Sequence, residues 1–413
     1  MRTCISGVIF GIMLLDSTFA ADSQTQSEIG REAAIAHHLQ DGEEFDTPLT
    51  GLIAYGQKLF TAHFTREEGA GRPLTKGTGV ALSDPNSPLT FPRNNNRISG
   101  PESNSCSGCH NQPIAGGAGD LSSNRRINGT WNASGVEGLS PQSTTSPDAQ
   151  HPPSLLILPF SQAGATVSLR VFTVNAFNQH HGMQATERFG IGTDPDGDGV
   201  VNELTRADIT ASTVFQATLP VPLRPIPSDP VLHRAIRDGE HLFQQIGCAG
   251  CHIPALPLDR NGWIYTEPNS YNPTGNLEPG EAPALSIDLA SDELPQPRLK
   301  PVNGVVMVPL YTDFKLHDIC SGPSDPNREG LNQNAAAGST EFFSGNTKFL
   351  TKRLWAVGSK PNYFHHGQFT TIREAILNHF GEALCTQQAF SALSPYQQGA
   401  VIEFLKTLTI VAR

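Results

Sequence analysis

A five-residue pattern, C-x-x-C-H, occurs twice in this chain of 413 residues. A structural zinc site needs four ligands and each pattern offers at most three, while a redox dithiol needs no histidine after its second cysteine. In a c-type haem site the two thiols bond to the porphyrin vinyl groups and the histidine ligates the iron. The spacing therefore indicates two covalently bound haem c groups. The residues that would hold them are Cys106, Cys109 and His110 in the first motif, and Cys248, Cys251 and His252 in the second.

The N-terminus has the features of a secretory signal peptide. Arg2 provides a basic start, the run from Ile5 to Leu15 is mostly apolar, and Ala20 ends a stretch suited to cleavage. The apolar run is too short to span a bilayer, and a buried N-terminal helix is the alternative interpretation. We expect residues 1–20 to be removed and the protein to be exported to the periplasm, where it is not an integral membrane protein.

The composition is that of an acidic protein rich in loops. The formal net charge is −11, which argues against a nucleic-acid partner because such a partner requires a basic face. The same charge would suit docking of a basic redox protein. The chain has 39 glycines and 32 prolines, so much of it must form turns and loops.

Two cysteines remain once the predicted signal peptide and the two motifs are set aside. They are Cys320 and Cys385. In an exported protein such a pair favours a disulfide between the two, and two separate buried thiols are the alternative.

A weak internal repeat accompanies the two motifs. The sequences YGQKLF, from Tyr55, and DGEHLF, from Asp238, both place G-x-x-L-F on an amphipathic helix. Between them, LPVPLRPIPSDP at residues 219–230 cannot form regular helix because of its prolines. The repeat predicts a mainly α protein with two cytochrome c-like haem domains, long Gly/Pro-rich loops and little β structure. The predicted domains are residues 22–222 and 228–413, with residues 253–305 as a loop-rich excursion.

An acidic loop, DPDGDGVVNE at residues 194–203, has the alternating carboxylates and glycines of a calcium loop. The candidate ligands are Asp194, Asp196, Asp198, the carbonyl of Val200, and Glu203 or Asp208. The full EF-hand pattern is not met, because Thr205 occupies its twelfth position. A structural Ca²⁺ is our prediction, and a solvated acidic turn is the alternative.

The clearest helix near the C-terminus is TTIREAILNHFGEA, residues 370–383. Thr371 and Glu374 form a predicted capping box, and Gly381 is the predicted stop. The helical spacing places His379 on the same face as the apolar Ile372 and Ile376. From these residues alone, a hydrogen-bonded core histidine is the favoured interpretation.

The sequence around this helix resembles a known family. RLWAVGSKPNYFHHGQFTTIREAILNHFGEA, residues 353–383, is similar to the C-terminal signature of the bacterial di-haem cytochrome c peroxidase superfamily. It is most similar to the di-haem oxidoreductase branch, which includes proteins described as thiol oxidoreductases. YTDFKLHDI, residues 311–319, resembles the segment that precedes this signature. The order of the two haem motifs and of the G-x-x-L-F helices also matches.

The resemblance implies an axial ligand for the second haem. In the peroxidases this ligand is a methionine fourteen residues beyond the histidine of an F-H-D-G motif. Here the motif is F-H-H-G with His365, and the residue fourteen positions on is His379. The resemblance thus implies that His252 and His379 both ligate the C-terminal iron.

The family usually carries its reactive haem in the N-terminal domain, with an acid/base residue above it. The candidate segment is FNQHHGMQATERFG, residues 177–190. Glu187 or His181 could transfer protons to and from bound peroxide. His180 or His181 could instead ligate the iron and close the site, and an ordinary polar loop is the third interpretation.

The resemblance implies a periplasmic, peroxidase-like di-haem c oxidoreductase. Electrons from a small cytochrome or cupredoxin would pass from the C-terminal haem to the N-terminal haem, which would reduce a small oxidant such as hydrogen peroxide. A non-catalytic di-haem electron carrier is the main alternative, since two histidines on each iron would leave no place for peroxide. A haem-bearing interaction module, suggested by the proline-rich excursion, is a third.

Overall fold

The structure is a computed structural model. It describes residues 30–71, 104–108, 110, 158–258, 260–269, 272–273, 275–332, 334–335, 339–359 and 363–409. The predicted signal peptide and Cys109 lie outside the described residues.

Helices are the main regular elements of the described part, and the strands are short. The α-helices are α1 (Glu43–Asp46), α2 (Leu49–Thr61), α3 (Leu169–Ala176), α4 (Thr186–Phe189), α5 (Arg206–Ala217), α6 (Pro230–Gln245), α7 (Arg260–Trp263), α8 (Thr340–Phe343), α9 (Ile372–Leu377), α10 (Leu384–Ser391) and α11 (Pro395–Lys406). The strands are β1 (Leu256–Leu258), β2 (Ile264–Glu267), β3 (Leu285–Asp288), β4 (Val306–Val308), β5 (Leu316–Asp318) and β6 (Lys348–Leu350). They pair only in antiparallel twos, β1 with β4, β2 with β3 and β5 with β6.

Two helix pairs form the centres of the two halves of the described chain. Helix α2 packs against α5, and α6 packs against α11. The glycine of each G-x-x-L-F sequence lies at the crossing: a Cβ on Gly56 would be 2.0 Å from the Ala211 oxygen, and one on Gly239 would be 1.9 Å from the Ala400 oxygen. Only glycine allows two backbones to approach this closely. The weak sequence repeat therefore corresponds to a repeated helix packing.

The repeated packing includes aromatic residues one helical turn beyond each crossing. The ring centroids of Phe60 and Phe215 lie 5.4 Å apart, and those of Phe243 and Phe404 lie 5.3 Å apart. Each phenylalanine follows its crossing residue by four positions, so both pairs lie on the buried side of their helices. Tilted ring pairs at this distance stabilise the contact beyond simple burial.

The start and end of α6 are determined by local chemistry. The Asp229 side chain caps the helix by accepting the backbone N–H of Val231 at 2.8 Å, and Pro230 occupies the first helical position. After the helix ends, Gly247 adopts a left-handed conformation with φ of 95°. This turn places Cys248, the first residue of the second motif, directly against the end of α6.

The excursion at residues 253–305 contains α7 and three strands, where the sequence predicted mainly loop. From it, Tyr265, Ile287, Leu289 and Leu294 join the buried cluster formed by α2, α3 and α5. The excursion thus packs against the helices of the first half. The proline-rich stretch before α6 contains no helix, and it connects α5 to α6.

Candidate functional site

The second C-x-x-C-H motif forms a tight turn after α6. Residues Cys248–Gly250 make one 3-10 turn, and the His252 N–H donates to the carbonyl of Cys248 at 2.9 Å. His252 Nδ1 lies 2.9 Å from the Tyr311 oxygen; because a carbonyl can only accept, Nδ1 carries the proton and Nε2 keeps its lone pair. Burial is the main cause that lowers the pKa of His252 to about 4. The ring is therefore neutral, which is the form that binds a metal.

His379, just beyond the end of α9, also has a backbone carbonyl bonded to its Nδ1 and a lowered pKa. The predicted capping box of Thr371 and Glu374 is present. The helix ends at Leu377, earlier than predicted, and the Ala375 carbonyl accepts the His379 Nδ1–H at 2.8 Å in place of a further helical bond. Burial lowers the pKa of His379. This histidine is thus also neutral, with the Nε2 lone pair available.

The rings of His252 and His379 lie close together. Their ring centroids are 6.5 Å apart and the ring planes are inclined at 65°. Metal–nitrogen bonds of about 2 Å on opposite sides of one ion would place two imidazole centroids about 6 Å apart. Donor type, tautomer and spacing of His252 and His379 therefore fit a haem iron between them.

Two backbone outliers support this pair. Tyr311, whose carbonyl holds His252, has φ of 56°, and Phe364, whose ring lies 5.1 Å from that of His379, has φ of 64°. Non-glycine residues rarely adopt such values, and they cluster at functional sites. The chain therefore keeps two unfavourable conformations next to the two predicted iron ligands.

A charged network borders the second cysteine of this motif. Ligand atoms of Cys251, Asp313 and His317 lie within 4.8 Å of one another. His317 contacts the Asp313 carboxylate at 3.0 Å and the Glu382 carboxylate at 2.8 Å. Burial alone would lower the pKa of His317, but these partners and Cys251 raise it to about 11. The imidazolium is thus a fixed positive charge beside the predicted attachment cysteine.

The first motif has a comparable environment. Cys106–Gly108 is again a 3-10 turn, and the His110 N–H donates to the carbonyl of Cys106 at 3.0 Å. The ring centroid of Phe60 lies 6.4 Å from that of His110, and the equivalent distance from Phe243 to His252 is 6.3 Å. The histidine of each motif, His110 or His252, thus meets the phenylalanine that follows the crossing glycine by one turn.

The structure brings His181 to the first motif. His181 ends a single π-helical turn, Phe177–His181, and is 3% exposed. Its Nε2 lies 3.3 Å from the sulfur of Cys106. Of the polar residues predicted in this segment, His181 is thus in direct contact with Cys106, a predicted attachment cysteine.

Glu187 lies on α4, where its carboxylate is held by Arg170. Arg170 Nε lies 3.1 and 3.0 Å from the two carboxylate oxygens, and both side chains are buried. Arg170 also contacts Glu267 at 3.4 Å and Thr210 at 2.9 Å. Burial alone would lower the pKa of Arg170, but the two glutamates raise it. The structure pairs Glu187 with a buried cation, and its role in proton transfer stays a prediction.

The acidic loop gathers the three predicted aspartates. Carboxylate oxygens of Asp194, Asp196 and Asp198 lie within 4.8 Å of one another, and Asp194 accepts the Gly199 N–H at 3.0 Å. Burial and the three nearby aspartates raise the pKa of Glu203 to about 10. An all-oxygen donor set with this much negative charge fits Ca²⁺.

The disulfide favoured from the sequence is absent. Cys320 and Cys385 are both free thiols. Cys320 is 8% exposed, with its sulfur 3.8 Å from the Thr347 oxygen, whereas Cys385 is exposed on α10. The prediction was wrong because counting cysteines says nothing about whether two side chains meet.

One part of the chain matches a known protein family. Residues 278–408 match the family model described as "Di-haem oxidoreductase, putative peroxidase". The match confirms the resemblance to the di-haem oxidoreductase branch, and it supports haem as the cofactor and an oxidoreductase activity. The matched segment includes His317 and His379 but neither C-x-x-C-H motif, so the motifs are independent support for two haems. The curated proteins contain no match to the chain.

Among the described residues, no helix is both long and apolar enough to cross a membrane.

Proposed function

We propose that the protein is a periplasmic di-haem c oxidoreductase of the peroxidase type. The observation that carries the proposal is the half-buried pair of neutral histidines, His252 and His379, beside the second C-x-x-C-H motif. The family match over residues 278–408 supports the same class. Residues 22–222 and 228–413 would form the two cytochrome c-like haem domains.

The chain would supply ligands, charge and proton transfer. When bound, the haems supply electron transfer from a small cytochrome or cupredoxin, through the C-terminal site to the N-terminal one, and reduction of a small oxidant such as hydrogen peroxide. His252 and His379 would hold the C-terminal iron from both sides, and His110 would hold the N-terminal one. The His317 imidazolium places positive charge near the C-terminal site, which favours the reduced state there.

Reduction of peroxide consumes protons, so a residue of the N-terminal site must deliver them. His181 is the better placed of the two predicted residues, because its Nε2 reaches the attachment cysteine Cys106. A histidine titrates near neutral pH and can both accept and donate a proton. Glu187 would then hold residues 177–190 in place through its hydrogen bond with Arg170.

We include in the proposal a structural calcium ion at the acidic loop. Asp194, Asp196 and Asp198 would provide carboxylate oxygens, and the Val200 carbonyl and Glu203 would complete the set. Burial and the nearby aspartates raise the pKa of Glu203, and the ion would offset the effect of the aspartates. It would thereby hold the segment between α4 and α5 in place.

The contact between His181 and Cys106 also favours a second function. An imidazole beside the attachment cysteine can act as the sixth ligand of the N-terminal iron instead of a proton donor. Both irons would then have six ligands, and the protein would be a non-catalytic electron carrier.

Peroxide turnover by the purified protein separates the two functions. Wild-type holoprotein with a reduced small cytochrome should consume hydrogen peroxide, and His181→Ala should reduce turnover about 100-fold, the scale of a general acid/base. His241→Ala, on the exposed face of α6, is the matched control and should retain the wild-type rate. An inert wild type that gains peroxide binding on His181→Ala would instead identify His181 as a closing ligand and the protein as a carrier.

A further inference from the structure

Glu68 is a buried carboxylate in the turn after α2, and the site described above does not use it. The residue is 3% exposed. Its Oε1 accepts the Ile35 N–H at 2.9 Å, and its Oε2 accepts the N–H groups of Ala34 and Thr65, each at 2.9 Å. A buried carboxylate is unfavourable unless such donors surround it. Glu68 therefore fixes residues 65–71, which we call the turn segment, to the N-terminal part of the described chain.

The turn segment ends in a close contact with the chain at His181. The Gly71 N–H donates to the His181 carbonyl at 2.8 Å. Gly182 adopts a left-handed conformation with φ of 78°, and a Cβ there would lie 2.7 Å from the Gly71 nitrogen. Only glycine allows this backbone conformation and this close approach together. The backbone of His181 is thus held directly against the turn segment.

The residue before the turn segment contacts the chain next to the first motif. The Phe64 N–H donates to the Asn104 carbonyl at 2.8 Å, and Asn104 Nδ2 donates to the Phe64 carbonyl at 3.1 Å. The buried Phe64 ring lies 6.5 Å from the ring of His181. Residues 64–71 therefore connect the residues just before the first motif to His181, whose Nε2 lies 3.3 Å from the Cys106 sulfur.

We propose that Glu68 is a positioning residue of the N-terminal site. By fixing the turn segment, it holds His181 at its distance from Cys106, and thus where the His181 side chain would act. Loss of the Glu68 hydrogen bonds should move His181 without removing it. This role rests on the proposed haem at the first motif, and it applies whether His181 transfers protons or ligates the iron.

Glu68→Gln tests this role in the holoprotein. Glutamine has the same size, but its NH2 group would face at least one of the three backbone N–H donors and disrupt the set. The EPR signal of the N-terminal haem should therefore shift, and kcat for peroxide should fall about 10-fold at an unchanged KM for the donor cytochrome. The signal of the C-terminal iron should stay the same. Glu293→Gln, at an exposed position of the excursion, is the matched control and should change none of these quantities.

Gly182→Ala tests the same contact from the other side, and it serves where Glu68→Gln does not fold. The added Cβ would push Gly71 away and should shift the same N-terminal signal. Gly304→Ala is its matched control, because Gly304 has a φ of 76° and a Cβ there would have no atom within 4 Å. The control variant thus carries the same backbone strain without the displaced contact, and it should keep the wild-type spectrum.

The spectra and the turnover answer separate questions. A wild-type N-terminal signal in both Glu68→Gln and Gly182→Ala would overturn the positioning role, whatever the rate of peroxide consumption. A shifted signal in both variants, with no turnover by the wild type, would support the positioning role and contradict the peroxidase function instead. An equal shift in Gly304→Ala would also overturn the role, because the effect would then not come from the contact with His181.

Discussion

Replacing Gly239 by alanine should separate the helix pair beneath the C-terminal site. The added Cβ would lie 1.9 Å from the Ala400 oxygen and 2.4 Å from the Ala400 carbonyl carbon. Ordinary contacts between such atoms are about 3.5 Å, so α6 and α11 must move apart by more than about 1 Å. That movement would also loosen Phe243 from Phe404 and from His252.

The expected cost follows from three contributions. Overpacking a close contact typically costs about 1–3 kcal/mol, and a weakened aromatic pair adds about 0.5–1.5 kcal/mol. Alanine regains about 1 kcal/mol because it favours the helix more than glycine does. Gly239→Ala should therefore destabilise the protein by about 0.5–3.5 kcal/mol.

Gly399 provides a matched control on the helix that α6 contacts. A Cβ there would have no atom within 4 Å, so Gly399→Ala should stabilise α11 by up to about 1 kcal/mol. Guanidinium unfolding followed by circular dichroism and by the haem absorbance gives both free energies. If Gly239→Ala unfolds at the wild-type denaturant concentration or above it, the close crossing of α6 and α11 is wrong. If both variants lose equal stability, the cost does not come from the crossing.

Two further predictions concern the acidic loop and the free cysteines. In the presence of a chelator, the pKa of Glu203 is about 10 in the folded protein, above its usual 4.5. Folding therefore takes up a proton between these two pH values. The unfolding temperature should fall as the pH rises from 4.5 to 10. Saturating Ca²⁺ should flatten this dependence, and identical profiles with and without Ca²⁺ would argue against the calcium site. In the folded protein a thiol reagent should label Cys385 readily, while Cys320, whose pKa burial raises to about 12, should react only on unfolding. If neither thiol of the unfolded protein is labelled until a reductant is added, Cys320 and Cys385 are joined by a disulfide and the two free thiols are wrong.

Features that depend on local sequence were predictable. The C-x-x-C-H spacing, the capping box at Thr371 and the helices at both G-x-x-L-F sequences depend on neighbouring residues, and the structure contains all of them. The helical spacing of His379 indicated a hydrogen-bonded core histidine; the structure shows the hydrogen bond, to the Ala375 carbonyl, but the residue lies just beyond the helix and is half-buried. Its pairing with His252 came from the resemblance, since the two lie more than a hundred positions apart.

Features that depend on long-range contacts were missed. Arg170 lies 97 positions from Glu267, and Arg298 lies 80 positions from Thr218. No periodicity or motif marks such partners, because burial of each charge is decided only when separate segments pack together. The same reason explains the wrong disulfide and the unexpected strands in the excursion, where short pairings formed despite frequent prolines.

Low-temperature EPR of the as-isolated ferric holoprotein and of His379→Ala reports directly on the ligands of the C-terminal iron. Ligation by both His252 and His379 should give one low-spin signal from this iron, and the signal should convert to high spin in His379→Ala. His233→Ala, an exposed histidine on α6, should give the wild-type spectrum. A His379→Ala spectrum identical to that of the wild type would contradict bis-histidine ligation of the C-terminal iron. It would also contradict the proposed order of electron transfer, from the C-terminal haem to the N-terminal one.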